Sequence, residues 1–360
     1  MAKTIGRRLL AIALLCGVSA TARAQNYAAA FLEIPLGARS LALGGQFTPI
    51  DNHDGSAFYW NPSAVALVEG QLVSTMYSNQ FGTLGDPLSH YFHLGYSQNL
   101  GGGVGLSFNW IRNSVPNIPL NESAQLNPND PFDFQGIVSG RYNVGKFSNA
   151  SDAIFITFAK NLFSRINFGW QYFNLPVDVP IGISFKYVRE GFSGNRLNEF
   201  VGSNSVAGTG IGVDIGATLR FNVNDFVGSK SLGMMAIGFA IRDLFNTPIT
   251  WNTPDKGNNK AAIPRATTLS LSYQQPLPFL SSSVLGVISR DTRYKGVTSI
   301  GAEYRYRSLI ALRVGSLDRQ LTLGAGLSLI RGLFIDYGYQ NSELGSPHRV
   351  SLSVRLDEWL

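Results

Sequence analysis

Apolar side chains recur at every second position from about Gln71 to the end of the chain, and no other feature restricts the fold as much. In the run from Ile211 through Val213, Ile215, Ala217 and Leu219 to Phe221, one face is wholly apolar, while the intervening positions are Gly, Asp, Gly, Thr and Arg. The same grammar recurs at Val104 to Trp110, Ile181 to Tyr187, Met235 to Ile241, Leu321 to Leu329 and Val350 to Leu356. Successive side chains of a strand point to opposite faces, so each run is a strand with one face in an apolar medium and the other among small polar groups. After residue 66 no stretch holds a helical stripe over three turns, and the chain reads as all-β.

The start of the chain sets the compartment. Lys3, Arg7 and Arg8 precede an apolar stretch from Leu9 to Val18, and Ala22-Arg23-Ala24 forms a small-x-small site before Gln25, the pattern of a cleavable secretory signal over residues 1–24. The single cysteine, Cys16, lies inside that leader behind the bulky Leu15, which disfavours lipidation and leaves the exported chain without disulfides or thiolate metal sites. The leader also holds four of the 29 basic residues and none of the 23 acidic ones, so the exported chain carries a net charge of only +2. That balance gives no warrant for a nucleic-acid partner. Only 14% of the 360 residues are charged and 39 are Gly, against typical values near ~25% and ~7%, which excludes a coiled coil or a disordered chain. No run after Gln25 approaches the roughly 18 to 20 apolar residues of a membrane-spanning helix. An exported β chain of this kind is either soluble or a closed barrel in a Gram-negative-type outer membrane.

Three features favour the barrel over a soluble β-sandwich. Many runs reach the roughly 9 to 11 residues that a tilted strand needs to cross hydrocarbon. Trp110, Phe221, Tyr273, Tyr304, Tyr306, Tyr337 and Tyr339 crowd near strand ends, where interfacial girdles sit. The face opposite the apolar one carries isolated charges amid Gly and Ser, among them Asp214, Arg220, Glu303, Arg305, Arg313, Asp336 and Arg355. Fifteen segments show the alternation, whereas single-chain bacterial barrels have even strand numbers. Omitting 165–174 places the long connections 112–151, 190–208 and 243–264 on one side and the short ones 99–102, 307–308 and 330–332 on the other. The expectation is therefore a transmembrane barrel of about 14 antiparallel strands over residues 71–360, with 161–179 an irregular inner connection or a strand extension.

Residues 25–70 do not read as strands, and a segment of that length cannot bury a core alone. The lumen of a 14-stranded barrel is wider than wall side chains fill, so this segment is expected to form a plug inside it. It contains Gly37-Ala38-Arg39, then Gly44-Gly45-Gln-Phe47, an Asp-rich turn at 51–55, and Tyr59-Trp60-Asn61-Pro62. These motifs resemble the N-terminus of the PorV/PorQ family of outer-membrane proteins, in the FadL-like barrel superfamily; Ser63 stands where that family usually has Ala. Gly238 to Leu244 with Pro248 resembles a further family turn, with Asp243 in place of Asn. The resemblance covers about thirty residues and implies an N-terminal hatch in the lumen. Arg39 would hold that hatch by charge-assisted bonds to lumen carboxylates, with Asp214, Glu303 and Asp336 as candidates. Gly44 and Gly45 would permit close backbone approach, and Asn61-Pro62 would set the turn into the first strand.

No nucleophile, phosphate-binding or zinc-protease motif occurs, so no catalytic residue, cofactor or metal is expected. Asp51-Asn52-His53-Asp54-Gly55 reads as a turn, and His90 and His93, three apart on a strand, face opposite ways. Gly208, Gly210 and Gly212 are small lumen-facing positions, and Asn127 to Asp133 lacks the ligand spacing of a calcium loop. Two roles remain besides that of a soluble exported protein. The family resemblance implies docking of exported cargo or of type IX secretion partners through the outer loops. The superfamily implies uptake of long-chain fatty acids or other hydrophobic small molecules across the outer membrane, in which the hatch shifts and the ligand leaves sideways through a gap in the wall, with outer-membrane lipid surrounding the barrel.

Overall fold

A computed structural model describes residues 28–45, 50–82, 87–121, 133, 135–136, 139–167, 169, 174–227, 231–253, 261–292, 296–342 and 345–359. The leader, Phe47 and the stretch 122–132 lie outside the described residues. Sixteen strands are formed among those described: β1 (Gln71–Gly82), β2 (Pro87–Gly101), β3 (Val104–Asn121), β4 (Asn143–Asn167), β5 (Asn174–Ser193), β6 (Ser205–Asn222), β7 (Met234–Arg242), β8 (Thr247–Trp251), β9 (Ala261–Ile263), β10 (Ala266–Leu277), β11 (Ser282–Asp291), β12 (Val297–Tyr306), β13 (Ile310–Leu317), β14 (Gln320–Leu327), β15 (Leu333–Gln340) and β16 (His348–Arg355). Fourteen of them pair antiparallel with sequence neighbours, β10 following β7, and β16 returns to β1, closing the ring. β8 and β9 form a small hairpin that is not one of the ring's fourteen strands and is joined to it where Trp251 pairs with Gly208.

Closure leaves no sheet edge across the ring, which a structure in hydrocarbon requires because water is not there to satisfy free backbone groups. On β4, Ile154, Ile156 and Phe158 point outward, while Ala153, Phe155, Thr157 and Ala159 are buried inside. Equivalent outward rows run through Ile181, Ile183 and Phe185 on β5 and Leu312 and Val314 on β13. The inner faces of β10 to β16 carry Ser270, Ser289, Ser299, Thr322, Ser351 and Ser353 instead.

The irregular connection expected at 161–179 does not form. The ladder continues from Asn161 opposite Pro180 to Asn167 opposite Asn174, so the strand-extension reading holds. β4 is 25 residues long, about 80 Å at the usual rise and far more than hydrocarbon demands. Beyond the bilayer the strand's outward face need not be apolar, so the alternation that marks its middle fades at both ends. The same reason shortens the expected loop 112–151, whose first ten residues continue β3 to Asn121.

Residues 28–45 and 50–67 lie inside the ring. Helix Ala38–Ala42 rests against β13 to β16, and the 3₁₀ turn Pro62–Leu67 against β2 to β6. A short helix, Ala57–Trp60, joins these two contacts. Apolar hatch residues such as Phe31, Leu32, Leu36 and Phe58 leave water on insertion, each contributing about 1.5–3 kcal/mol to holding the segment in place.

Candidate functional site in the barrel lumen

Gly37 takes φ 86°, a conformation costly for any residue with a Cβ, and sends its N–H to Met76 Sδ at 3.2 Å. The next N–H, of Ala38, donates to Ser351 Oγ at 2.9 Å, and this pinned start aims Arg39 at β12. Arg39 Nε and Nη2 donate to the two oxygens of Glu303 at 3.0 and 3.2 Å, and Nη1 donates to Asp51 Oδ1 at 2.5 Å. Glu303 also accepts from Arg305 at 2.8 Å and Arg313 at 2.6 Å, and Arg313 reaches Asp336 at 2.7 Å. Three guanidinium groups thus meet three carboxylates in a largely dry space. Burial works against the charge on Arg39, but Asp51 and Glu303 outweigh it and hold its pKa well above the ordinary value. Burial likewise opposes ionisation of Asp51, and Arg39 followed by His53 overcomes this, holding the Asp51 carboxyl well below the usual range.

The other two carboxylates proposed for Arg39 have different partners. Asp336 belongs to the same group but pairs with Arg313. Asp214 stands elsewhere, with Lys186 at 2.7 Å, while Asp243 approaches the same Nζ at 2.9 Å and its backbone N–H donates to Asp214. A strand's register decides such pairings, and nothing in the spacing of single charges reveals it. Arg242 reaches Asp291 at 2.6 Å and lies over the rings of Tyr59 and Trp60, 5.8 Å from each centroid. Lys186, Arg242 and Asp291 were not among the expected site residues. Their one signal is a charge at an inward position of an otherwise alternating strand.

The motif residues of the hatch are brought together by hydrogen bonds. Trp60 Nε1 donates to the Leu36 carbonyl at 3.1 Å, and the Tyr59 hydroxyl donates to the carbonyl of Leu32. Asn61 caps the turn that begins at Pro62, its Oδ1 accepting from the Ser63 N–H at 3.0 Å. Its Nδ2 donates to the Ala217 carbonyl and to Thr218 Oγ1, both at 3.2 Å, pinning the turn to β6. Gly44 and Gly45 follow helix Ala38–Ala42 at φ 91° and 86°, and a Cβ on Gly44 would meet the Ser316 carbonyl. His53 lies 2.8 Å from Asp51 and 3.2 Å from Arg39 Nη1, so a guanidinium occupies the side a metal ion would need. His93 faces the lumen against Asn109, and His90 faces outward against Tyr77.

Beside these polar groups, one contiguous apolar cluster runs the height of the lumen along β1 to β5. It begins at Ile249 and Ile263 of the β8–β9 hairpin, passes Phe31, Leu32, Phe58, Ile111, Phe155 and Val188, and ends at Val65, Ala66 and Ala159. The hairpin covers its outer end by lying on Gly208, Gly210 and Gly212 of β6, where any Cβ would strike Trp251, Pro248 or Thr247. Those glycines therefore form a track for a loop. The gap between Leu32, Tyr59, Phe155 and Lys186 is about 10 Å³, room for one water at most, and a space of about 50 Å³ lies beside His53 and Arg305 at the inner end.

Together these features define a closed 14-stranded antiparallel β-barrel of the outer-membrane type, with the described N-terminal residues inside its lumen. Among solved structures the chain is similar to the toluene transporter TbuX of Ralstonia pickettii, with a TM-score of 0.51 and 15% identity over 89% of this chain and 97% of that one. It is also similar to the toluene transporter TodX of Pseudomonas putida, with a TM-score of 0.50 and 13% identity over 92% and 98% of the two chains. At such identities the likeness concerns the fold, which these FadL-family barrels share with it. No family model matches the chain, and no curated protein does.

Proposed function

We propose that this chain, exported by a leader cleaved after Ala24, carries hydrophobic small molecules across the outer membrane. The apolar cluster running from the β8–β9 hairpin to Val65 and Ala66 carries the reading, because it is a continuous apolar lining between hatch and wall in an otherwise polar lumen. The shared fold of two toluene transporters supports it. Register irregularities occur at 99–101, 115–118 and 120–121, and the ladder of β6 breaks at the level of the apolar belt: it ends against β7 at Ile215 and Ile241 and resumes against β8 at Thr209 and Gly208, with the chain kinked at Asp243 and Asn246 between. Movement of residues 25–70, the hatch, followed by a sideways exit at this break, level with Tyr187 and Ile211, suits this wall. The test is equilibrium binding of a labelled monoaromatic hydrocarbon and a labelled long-chain fatty acid to the purified barrel, followed by flux into liposomes. Val188→Asn, within the cluster, is expected to weaken binding about tenfold, and absence of binding by the native protein to either probe sinks the proposal.

A second reading, docking of secretion partners as in the PorV/PorQ family, draws support from the motif residues 37–62 and from how little space the polar side of the lumen leaves. Crosslinking in native outer membranes tests it. Recovery of secretion-pore components favours docking, and a lone chain with bound hydrophobic ligand favours transport.

A further inference from the structure

One row of lipid-facing side chains differs from the rest of the outer wall. Strand pairing sets Arg112 of β3 opposite Asp152 of β4, and Asp152 opposite Arg189 of β5, so the three lie side by side. Their chain neighbours Ile111, Ala153 and Val188 are fully buried in the lumen, so the row points outward. On the same face, two residues nearer the short-turn end, stand Trp110, Ile154 and Tyr187, followed by Phe108, Ile156 and Phe185. The apolar belt therefore begins directly beneath the row, and the row borders it on the side of the long connections. Trp and Tyr favour the depth at which hydrocarbon gives way to headgroups.

The charges of this row do not cancel. Arg112 Nη1 lies 3.3 Å from Asp152 Oδ1, and Trp110 Nε1 donates to the same oxygen at 3.0 Å. The Asp152 side chain is only 17% exposed, whereas that of Arg112 is 44% exposed. Arg189 is exposed and has no ion-pair partner among the described residues. One carboxylate, held by Trp110, stands between two guanidinium groups and pairs with Arg112, leaving Arg189 without its share. Two strand spacings separate Arg112 from Arg189, about 10 Å, a gap that two arginine arms close over one tetrahedral anion. A guanidinium at that depth meets headgroups, and its planar donors match phosphate oxygens in pairs.

We propose that Arg112 and Arg189 grip a phosphate of a phosphorylated glycolipid in the outer leaflet, with Asp152 and Trp110 holding Arg112 in position. The site lies on the outer wall and is independent of what the lumen carries. Native mass spectrometry of the purified full chain, titrated with lipid A and with dephosphorylated lipid A, tests it. The native protein is expected to prefer the phosphorylated form at least tenfold, with inorganic phosphate at millimolar concentration failing to displace it. R112Q/R189Q is expected to abolish the preference while keeping heat-modifiable gel migration. Should the double variant not fold, R189Q alone decides, since Arg189 has no ion-pair partner among the described residues whose loss would unfold the barrel. Equal binding of the two lipids by the native protein, an undiminished preference in the folded variant, or displacement by inorganic phosphate overturns the proposal.

Discussion

Arg39 of the hatch and Glu303 of β12 share two hydrogen bonds, of 3.0 and 3.2 Å, across 264 positions of sequence. Glu303 is also the shared acceptor of Arg305 and Arg313, so the two ends of this pair are not equivalent. Replacing Arg39 by Met leaves Glu303 with two cations. Replacing Glu303 by Gln leaves three buried cations short of a carboxylate, and removing one member of a buried ion group typically costs about 3–5 kcal/mol. E303Q is therefore expected to expose the hatch to protease more than R39M does, with the barrel still heat-modifiable in both. Equal cleavage of the two variants contradicts this account of the group.

Asp51 gives the hatch a pH dependence whose sign follows from its lowered pKa. A carboxylate whose folded pKa is depressed contributes stability that is complete above its unfolded value, near ~3.9, and is lost as pH falls toward the folded value. Hatch protection is expected to be level from pH 7 to about 5 and to fall only in stronger acid. D51N should flatten that acid limb. With its side chain 35% exposed, Asp51 contributes only part of the effect, and added salt should reduce it. Proteolysis of the hatch against pH, with and without D51N, measures this.

Gly210 lies beneath the β8–β9 hairpin, and a side chain there would meet the Pro248 carbonyl and Ile249. G210V is expected to lift the hairpin from β6 and uncover the outer end of the apolar cluster. Hydrogen exchange should then rise at Thr247–Trp251 and not at β10 to β16. Unchanged protection of the hairpin would show that it sits without the glycine track.

Asn61 serves the 3₁₀ turn and the wall at once. Asn61→Ala removes a cap worth about 1 kcal/mol together with the donors to Ala217 and Thr218. Asn61→Asp keeps the cap but loses those donors, so it should recover only part of the loss. Thermal release of the hatch, followed by protease sensitivity at Pro62–Leu67, ranks the three forms.

The ring was legible in the chain because lipid outside and water inside impose opposite demands on alternate residues, and that period of two survives in the letters from Gln71 onward. Fourteen strands follow from it, and so does an N-terminal segment too poor in strand pattern to join the wall. The ladder at Asn161–Asn167 was legible only as one of two alternatives and the hairpin at Thr247–Trp251 not at all, since outside the bilayer a strand need not alternate and a loop can pair wherever glycines make room.

Local chemistry in the sequence alone determined the fold class and the count of about 14 strands. Only the tertiary structure decided that Arg39 meets Glu303, that Asp214 belongs to Lys186, and that Arg112, Asp152 and Arg189 stand in one row. Such pairings depend on the register between strands distant in the chain. One residue of slip turns a side chain from lumen to lipid, and only closure of the whole ring settles it.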